Sequence, residues 1–208
     1  ELTEKTVELI AKVHEISDPA TRFPMLDGPG QALRRHVEWH RNWYRWALAD
    51  DGSPIPLIER TFDWLDAHWP ADPGPDVLSW GDSRPGNILY DGFTPVGVLD
   101  WEMAGLGPRE LDIAWVIFIH RFFQDLATRF DQPGLPDFLR RADVVAKYEE
   151  TTGYTVRDLD FYIVYAALRH AIVMARVKRR MIHFGEDTDT PDRDDYVMHR
   201  ASLEALLD

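Results

Sequence analysis

Apolar positions recur at helical spacing in seven stretches of this chain, and alternate or cluster briefly between two of them. Residues 3–16 place Val7, Ile10, Ala11, Val13 and His14 on one face, with Thr3 or Thr6 available as caps. Residues 17–30, rich in Pro and Gly, predict a loop; Gly28 and Gly30 do not open a phosphate-binding loop, because no G-x-x-x-x-G-K-[ST] follows. Residues 31–50 predict the clearest amphipathic helix. Leu33, Val37, His40, Tyr44, Ala47 and Leu48 share an arc with Trp39, Trp43 and Trp46 beside it, and Arg34, Arg35, Glu38, Arg41, Asn42 and Arg45 lie opposite. The Trp stripe is read as core rather than as a sugar-stacking platform.

A further helix is expected over Pro56–His68, ending at the turn-rich WPADPGPD. Residues 109–130 are apolar nearly all round (Ile113, Trp115, Val116, Ile117, Phe118, Ile119), which predicts a helix buried in the centre of the fold. Helices are also expected at about 136–151, 157–184 and 194–207. The second of these breaks its apolar run at Arg169-His170 and so reads as a core helix, not a membrane span. The six carboxylates of EDTDTPDRDD lack the Gly and final Glu of a calcium loop and predict a solvated loop.

Between the helices lies a short β-rich island, Trp80–Asp112. Val77–Trp80 is a strand candidate, GDSRPGN a loop with a Pro-Gly turn, and WEMAGLGP a second loop. Asn87–Tyr90 and Val96–Asp100 predict two strands of a hairpin around DGFTP. The fold class is therefore α+β and mainly helical, with a small hairpin at its functional end.

Composition changes this picture little. At 208 residues the chain suffices for one domain with a substantial core, or two small ones. A net charge of −13 argues against a nucleic-acid partner and suits a cationic substrate, although acidity more often serves solubility. The absence of Cys excludes disulfides and thiolate zinc sites. No apolar run is long enough for a membrane span and no signal-peptide pattern opens the chain, so a cytoplasmic protein is expected. The start at Glu1, without Met, suggests a piece of something longer. His36 and His40 share a helix face, but the context does not favour zinc.

The chemistry concentrates in the island. If the hairpin pairs around Phe93, Asp100 ends beside Asn87, and Asp82 lies on a loop that Pro85-Gly86 folds back. A carboxylate and an amide carbonyl, with room for water and phosphate oxygens, suit Mg²⁺ better than zinc. Asp82 could then accept a proton from a substrate hydroxyl, and Arg84 adds a positive charge suited to a transferring phosphoryl group.

WGDSRPGN resembles the catalytic loop H-G-D-x-x-x-x-N of the aminoglycoside phosphotransferase and choline kinase superfamily. DWEMAGLGPRELDIAW resembles the same family's metal-binding segment. The resemblance implies the C-terminal lobe of a protein-kinase-like fold over all 208 residues, as a single helical lobe carrying catalytic and substrate sites. By position it implies Asp82 as catalytic base, Arg84 as a γ-phosphate contact, Asn87 and Asp100 as Mg²⁺ ligands, and Asp112 as a structural tie. Glu102 either reaches the metal through water or caps a turn, and the structural role is favoured. Trp80 stands where the family has His, which is expected to remove a side-chain hydrogen bond. The resemblance further implies ATP as phosphoryl donor, a small-molecule hydroxyl as acceptor, and a nucleotide-binding N-terminal lobe that this sequence lacks. None of Lys5, Lys12, Lys147 and Lys178 lies on a strand like the family's V-A-I-K segment, so the chain alone is expected to be inactive. Acidic residues after position 130, with Asp125, make an amine-bearing acceptor attractive; the candidates are Asp125, Asp137, Glu149, Glu150, Asp158 and Asp160. The alternative function is a non-catalytic, pseudokinase-like small-molecule binding module. A metal hydrolase would want more carboxylate or His ligands.

Overall fold

A computed structural model of the chain describes residues 1–47 and 53–208. Its helices are α1 (Leu2–His14), α2 (Pro19–Arg22), α3 (Ala32–Ala47), α4 (Pro56–Ala67), α5 (Glu110–Arg129), α6 (Arg141–Thr152), α7 (Leu159–His183) and α8 (Arg200–Leu207). Two antiparallel pairs of short strands accompany them: β1 (Val77–Ser79) with β4 (Gly105–Gly107), and β2 (Ile88–Asp91) with β3 (Thr94–Val98). The fold is thus mainly helical with small antiparallel sheets, as the hydrophobic pattern implies.

The described chain forms two compact units, the first from Glu1–His36 and Asp72–Ile163, the second from Val37–Ala71 and Val164–Asp208. In the first unit α5 is the core element. Every residue from Glu110 to Ile119 is buried, and only the last turns of the helix open to solvent. The face of α1 bearing Val7, Ile10 and Ala11 is buried in the same unit, as are Val144 and Tyr148 of α6, and α1 packs against α6 and against β1 and β3. The hairpin forms as expected but with a tighter turn, its strands taking in Asp91, Thr94 and Pro95 and ending before Asp100. Ile88 lies opposite Val98, the register shifts between Leu89 and Tyr90, and Leu99 N–H donates to Asn87 O at 2.9 Å.

In the second unit α4 begins at Pro56 in the first helical position, which sacrifices no hydrogen bond. The Asp194 carboxylate accepts from Leu57 N–H at 2.7 Å, and Tyr44 Oη accepts from Ile55 N–H at 2.9 Å. Asp194 is therefore buried, unlike the solvated loop expected for its segment. The neighbouring acids do stay near the surface, paired to Lys178 (Asp187) and Arg200 (Asp192, Asp195).

Several expectations are corrected. The 17–30 loop holds the one-turn helix α2 and a short 3₁₀ turn over Pro24–Leu26. The segment after the hairpin is not all loop, since Gly105–Gly107 pairs with β1. Residues 194–199 precede the last helix, with a 3₁₀ turn at Arg193–Tyr196. Trp39 and Trp46 are not core. Both are 61% exposed, Trp39 stacking on Trp43 and Trp46 lying under the Arg176 guanidinium. The apolar arc of α3 is filled by Leu33, Val37, Tyr44 and Ala47 instead, and Leu48 lies outside the described residues.

Candidate active site

The residues that the sequence groups around Asp82 all belong to the first unit, and Asp112 is where their placement begins. It sits in the first turn of α5, where a negative charge is favoured by the helix dipole. Its carboxylate is fully buried and accepts four hydrogen bonds. Ser79 Oγ and Gly81 N–H donate to Oδ1 at 2.9 and 2.8 Å, and Trp80 N–H and His14 Nε2–H donate to Oδ2 at 2.7 and 3.0 Å. Ser83 Oγ adds a bond to the Asp112 backbone carbonyl at 2.9 Å. Burial pushes the Asp112 pKa up. The His14 bond and charge, with the N–H groups of Gly81 and Trp80, outweigh it and hold the carboxyl below the usual range. One ionised side chain thereby clamps three consecutive residues, Ser79, Trp80 and Gly81, that lead into Asp82.

The support continues behind His14. Asp112 Oδ2 accepts from His14 Nε2–H, and His14 Nδ1 meets Tyr148 Oη at 2.7 Å. Arg109 Nη1 donates to the same hydroxyl at 3.0 Å. The line Arg109–Tyr148–His14–Asp112 joins α6, α1 and the start of α5.

Gly81 makes the approach possible. Its φ of +93° is a conformation that a side chain strains to adopt, and a Cβ there would come within 2.1 Å of Met103 O. The loop backbone and the segment after the hairpin are consequently pressed together.

Asp82 is gripped by three donors. Trp115 Nε1–H reaches Oδ1 at 2.7 Å, while Asn87 Nδ2–H and Arg84 Nε–H reach Oδ2 at 2.7 and 2.9 Å. Asn87 Nδ2 also donates to Asp82 O at 3.1 Å. With its amide nitrogen spent on Asp82, Asn87 keeps its Oδ1 without a protein partner among the described residues. Asp100 follows the Leu99–Asn87 bond by one residue, in a left-handed conformation (φ +60°), exposed and with no described residue hydrogen-bonded to its carboxylate. The hairpin therefore brings two oxygen-bearing side chains toward its Asp82 end, and an amide oxygen with a carboxylate is a hard donor set of the kind that fits Mg²⁺. Among the described residues no group of three or more His, Cys, Asp or Glu could hold a metal ion.

Two expectations about this region need correction. Trp80 does not simply remove a side-chain bond. Its buried indole donates Nε1–H to Leu99 O at 2.9 Å, tying the loop that carries Asp82 to the residue before Asp100. Glu102 caps no turn: its carboxylate is exposed and bonds no described residue.

Trp115 is the functional neighbour that the sequence reading missed. It looked like one more apolar residue of a buried helix. The available signal was its spacing, three residues past Asp112 on the same helix, which turns its indole toward the loop that Asp112 holds.

Beside the loop, Arg84 and Gly86 border a cleft of about 320 Å³ whose other walls include Ile119, Phe123, Leu135 and Phe138. The acids proposed for an amine-bearing acceptor do not line it. Asp125 pairs with Arg121, Asp137 with Arg140, Glu150 with Lys147 and Asp160 with Arg141, and Glu149 accepts from Val156 N–H.

Comparison with known proteins fits this geometry. The sequence model of the phosphotransferase enzyme family matches residues 1–183. Acyl-CoA dehydrogenase family member 10 of Mus musculus is 24% identical over 188 residues, which is 84% of this chain and 17% of that protein. A candidate aminoglycoside phosphotransferase from Ralstonia eutropha has the same fold, with a TM-score of 0.73 at 20% identity over 99% of this chain and 63% of that one. The macrolide 2′-phosphotransferase of Brachybacterium faecium follows at a TM-score of 0.56 and 17% identity, covering 100% of this chain and 59% of its own. The chain thus spans about three fifths of these solved structures and about a sixth of the mouse relative.

Proposed function

The chain belongs to the phosphotransferase enzyme family, and from that premise we propose that it is the acceptor-side lobe of an ATP- and Mg²⁺-dependent kinase that phosphorylates a hydroxyl group of a small molecule. The observation that carries the reading is the grip on Asp82 beside two oxygen ligands left free. A carboxylate offers about four acceptor positions. Three are filled by Trp115, Arg84 and Asn87, which leaves one on Oδ1 for the acceptor hydroxyl.

In this mechanism Asp82 Oδ1 orients the hydroxyl and receives its proton as the acceptor oxygen bonds to the γ-phosphorus of ATP and the bond from that phosphorus to the leaving ADP oxygen breaks. Trp115 and Asn87 keep the carboxylate from rotating, so the hydroxyl is held in line for attack. Arg84 donates through Nε to Asp82, and its terminal nitrogens, without a protein partner among the described residues, are free to meet phosphate oxygens. Asn87 Oδ1 and Asp100 would hold the magnesium, which supplies charge compensation for the phosphoryl group of ATP when bound. Glu102, exposed and unbonded, remains able to reach the metal through water. Nucleotide clamps would come from an N-terminal lobe, and the cytoplasm is the compartment that supplies the ATP. A module that only binds would have no use for a carboxylate gripped in this way beside free metal ligands.

The test is Asp82→Asn in the complete protein, with phosphate transfer from labelled ATP followed across a panel of alcohols. Transfer should fall by roughly 10²- to 10⁴-fold while the unfolding midpoint changes little. Undiminished turnover in the variant would sink the mechanism.

A further inference from the structure

The cleft beside the catalytic loop has a chemistry of its own, and it is not that of a site for an amine. None of its lining residues is acidic. One wall is a face of α5. Trp115, Ile119 and Phe123 recur every fourth residue, so Ile119 lies about 6 Å and Phe123 about 12 Å along the axis from the indole that touches Asp82. The opposite wall, around Leu135 and Phe138, is pinned to the same helix by polar side chains. His120 Nε2–H donates to Leu135 O at 3.0 Å, and Leu135 N–H donates to Gln124 Oε1 at 2.7 Å. Gly134, at φ +57°, lets the Gln124 amide come where a Cβ would meet it at 2.3 Å. The His120 ring packs edge-on against Phe138. The wall is therefore built, yet it leaves large apolar side chains facing out, with Leu135 61% and Phe123 48% exposed. Such a surface is stabilised by whatever apolar body covers it.

We propose that this cleft receives the body of the acceptor, and that the acceptor is an alcohol carried on an uncharged apolar chain or ring rather than a polyamine. The inference rests on the phosphotransferase reading for the role of Asp82. Continuity with the catalytic loop selects the occupant: Trp115, whose indole bonds Asp82 Oδ1, shares its helix face with Ile119 and Phe123, so an acceptor whose hydroxyl reaches Asp82 would lay its body along them. The volume, about 320 Å³, suits a small molecule and is at the lower end for ligand pockets.

The experiment uses the full-length protein, with octanol as apolar probe and kanamycin as polyamine. Phe123→Asp and Leu135→Glu place a carboxylate in the cleft at positions already exposed, and Phe130→Asp, 65% exposed and outside the lining, is the control. Octanol binding, read by calorimetry or amide shifts, should weaken at least about ten-fold in both cleft variants and stay unchanged in the control. Transfer to octanol should lose a similar factor through KM. Transfer to kanamycin that both cleft variants leave intact, with none to octanol, would overturn the proposal while sparing the kinase. Octanol binding lost in the variants, but with no transfer to any alcohol, would support the apolar ligand and count against the kinase. Concentration-dependent self-association abolished by Leu135→Glu, without octanol binding, would show that a second copy covers the face and would overturn the proposal.

Discussion

Trp115 contributes a single proton to the site, and its position makes that proton matter. The indole Nε1–H occupies one acceptor position of Asp82 Oδ1, the oxygen on which the acceptor hydroxyl is expected. Trp115→Phe keeps most of the packing and deletes the donor. We expect kcat to fall by about ten-fold, the size of one lost charge-assisted hydrogen bond, with KM for ATP unchanged and little loss of stability, because Asp82 is partly exposed to water. Steady-state kinetics beside a thermal melt decide it; lower stability with unaltered kcat would mean that Trp115 only packs. Asp82, Asn87 and Asp100 could be named from the sequence because their spacing around a short hairpin brings them together whatever surrounds them. Trp115 and Trp80 could not be given their bonds, because an indole in an apolar run reads as core until its partner is known. Glu102 was misjudged for the opposite reason: a turn acid usually caps something, and this one bonds no described residue.

Elements differ in how openly they show themselves in a sequence. The long helices are legible because burial along one face must repeat every turn, and α5, buried on all sides at its start, shows that burial as an unbroken apolar run. The strand β4 is only Gly105–Gly107, without side chains that favour a sheet, and exists because the backbone groups of β1 need partners. The α8 region carries the element-scale prediction. His199 precedes α8, donates Nε2–H to Ala167 O of α7 at 3.0 Å, and faces His170 Nδ1 at 3.4 Å. Burial drives its pKa down to about 4, only partly opposed by the Ala167 bond. The folded state therefore binds this proton less readily than the unfolded chain, whose His titrates near 6.5. The stabilisation is complete above about pH 6.5 and is lost as pH falls toward 4, by up to roughly 3 kcal/mol. Denaturant unfolding between pH 7 and 4.5 should show this slope, and His199→Gln, which keeps a donor for Ala167, should flatten it. An equal slope in the variant would assign the acid sensitivity elsewhere.

At the scale of the molecule, charge sets what the chain can do with a nucleotide. The net charge is −13, and the four lysines lie on helices, none on a strand. Lys5 and Lys147 are paired with Glu8, Lys147 also with Glu150, and Lys178 with Asp187. Under the proposed function, Arg84, whose terminal nitrogens bond no described residue, would grip only the end of a triphosphate, together with Asn87 and Asp100 as the proposed magnesium ligands. That each unit is built from two separated segments was hidden from the hydrophobic pattern, because divisions fall within the sequence spans of α3 and α7, where the helical period does not break. Asp82, Arg84, Asn87, Asp100 and Asp112, the residues proposed for the site, all lie in the first unit. A lobe of this kind, by itself, should bind MgATP only weakly. We expect calorimetry on these 208 residues to give a dissociation constant on the order of 1 mM or no measurable heat, equivalent to about −4 kcal/mol at most. The weak signal should vanish in Asp100→Asn, which removes the charged metal ligand without touching the packed core, since Asp100 is exposed. Micromolar binding that survives this substitution would place the adenine and phosphate clamps within the helices described here, and would remove the reason to look for them on another lobe.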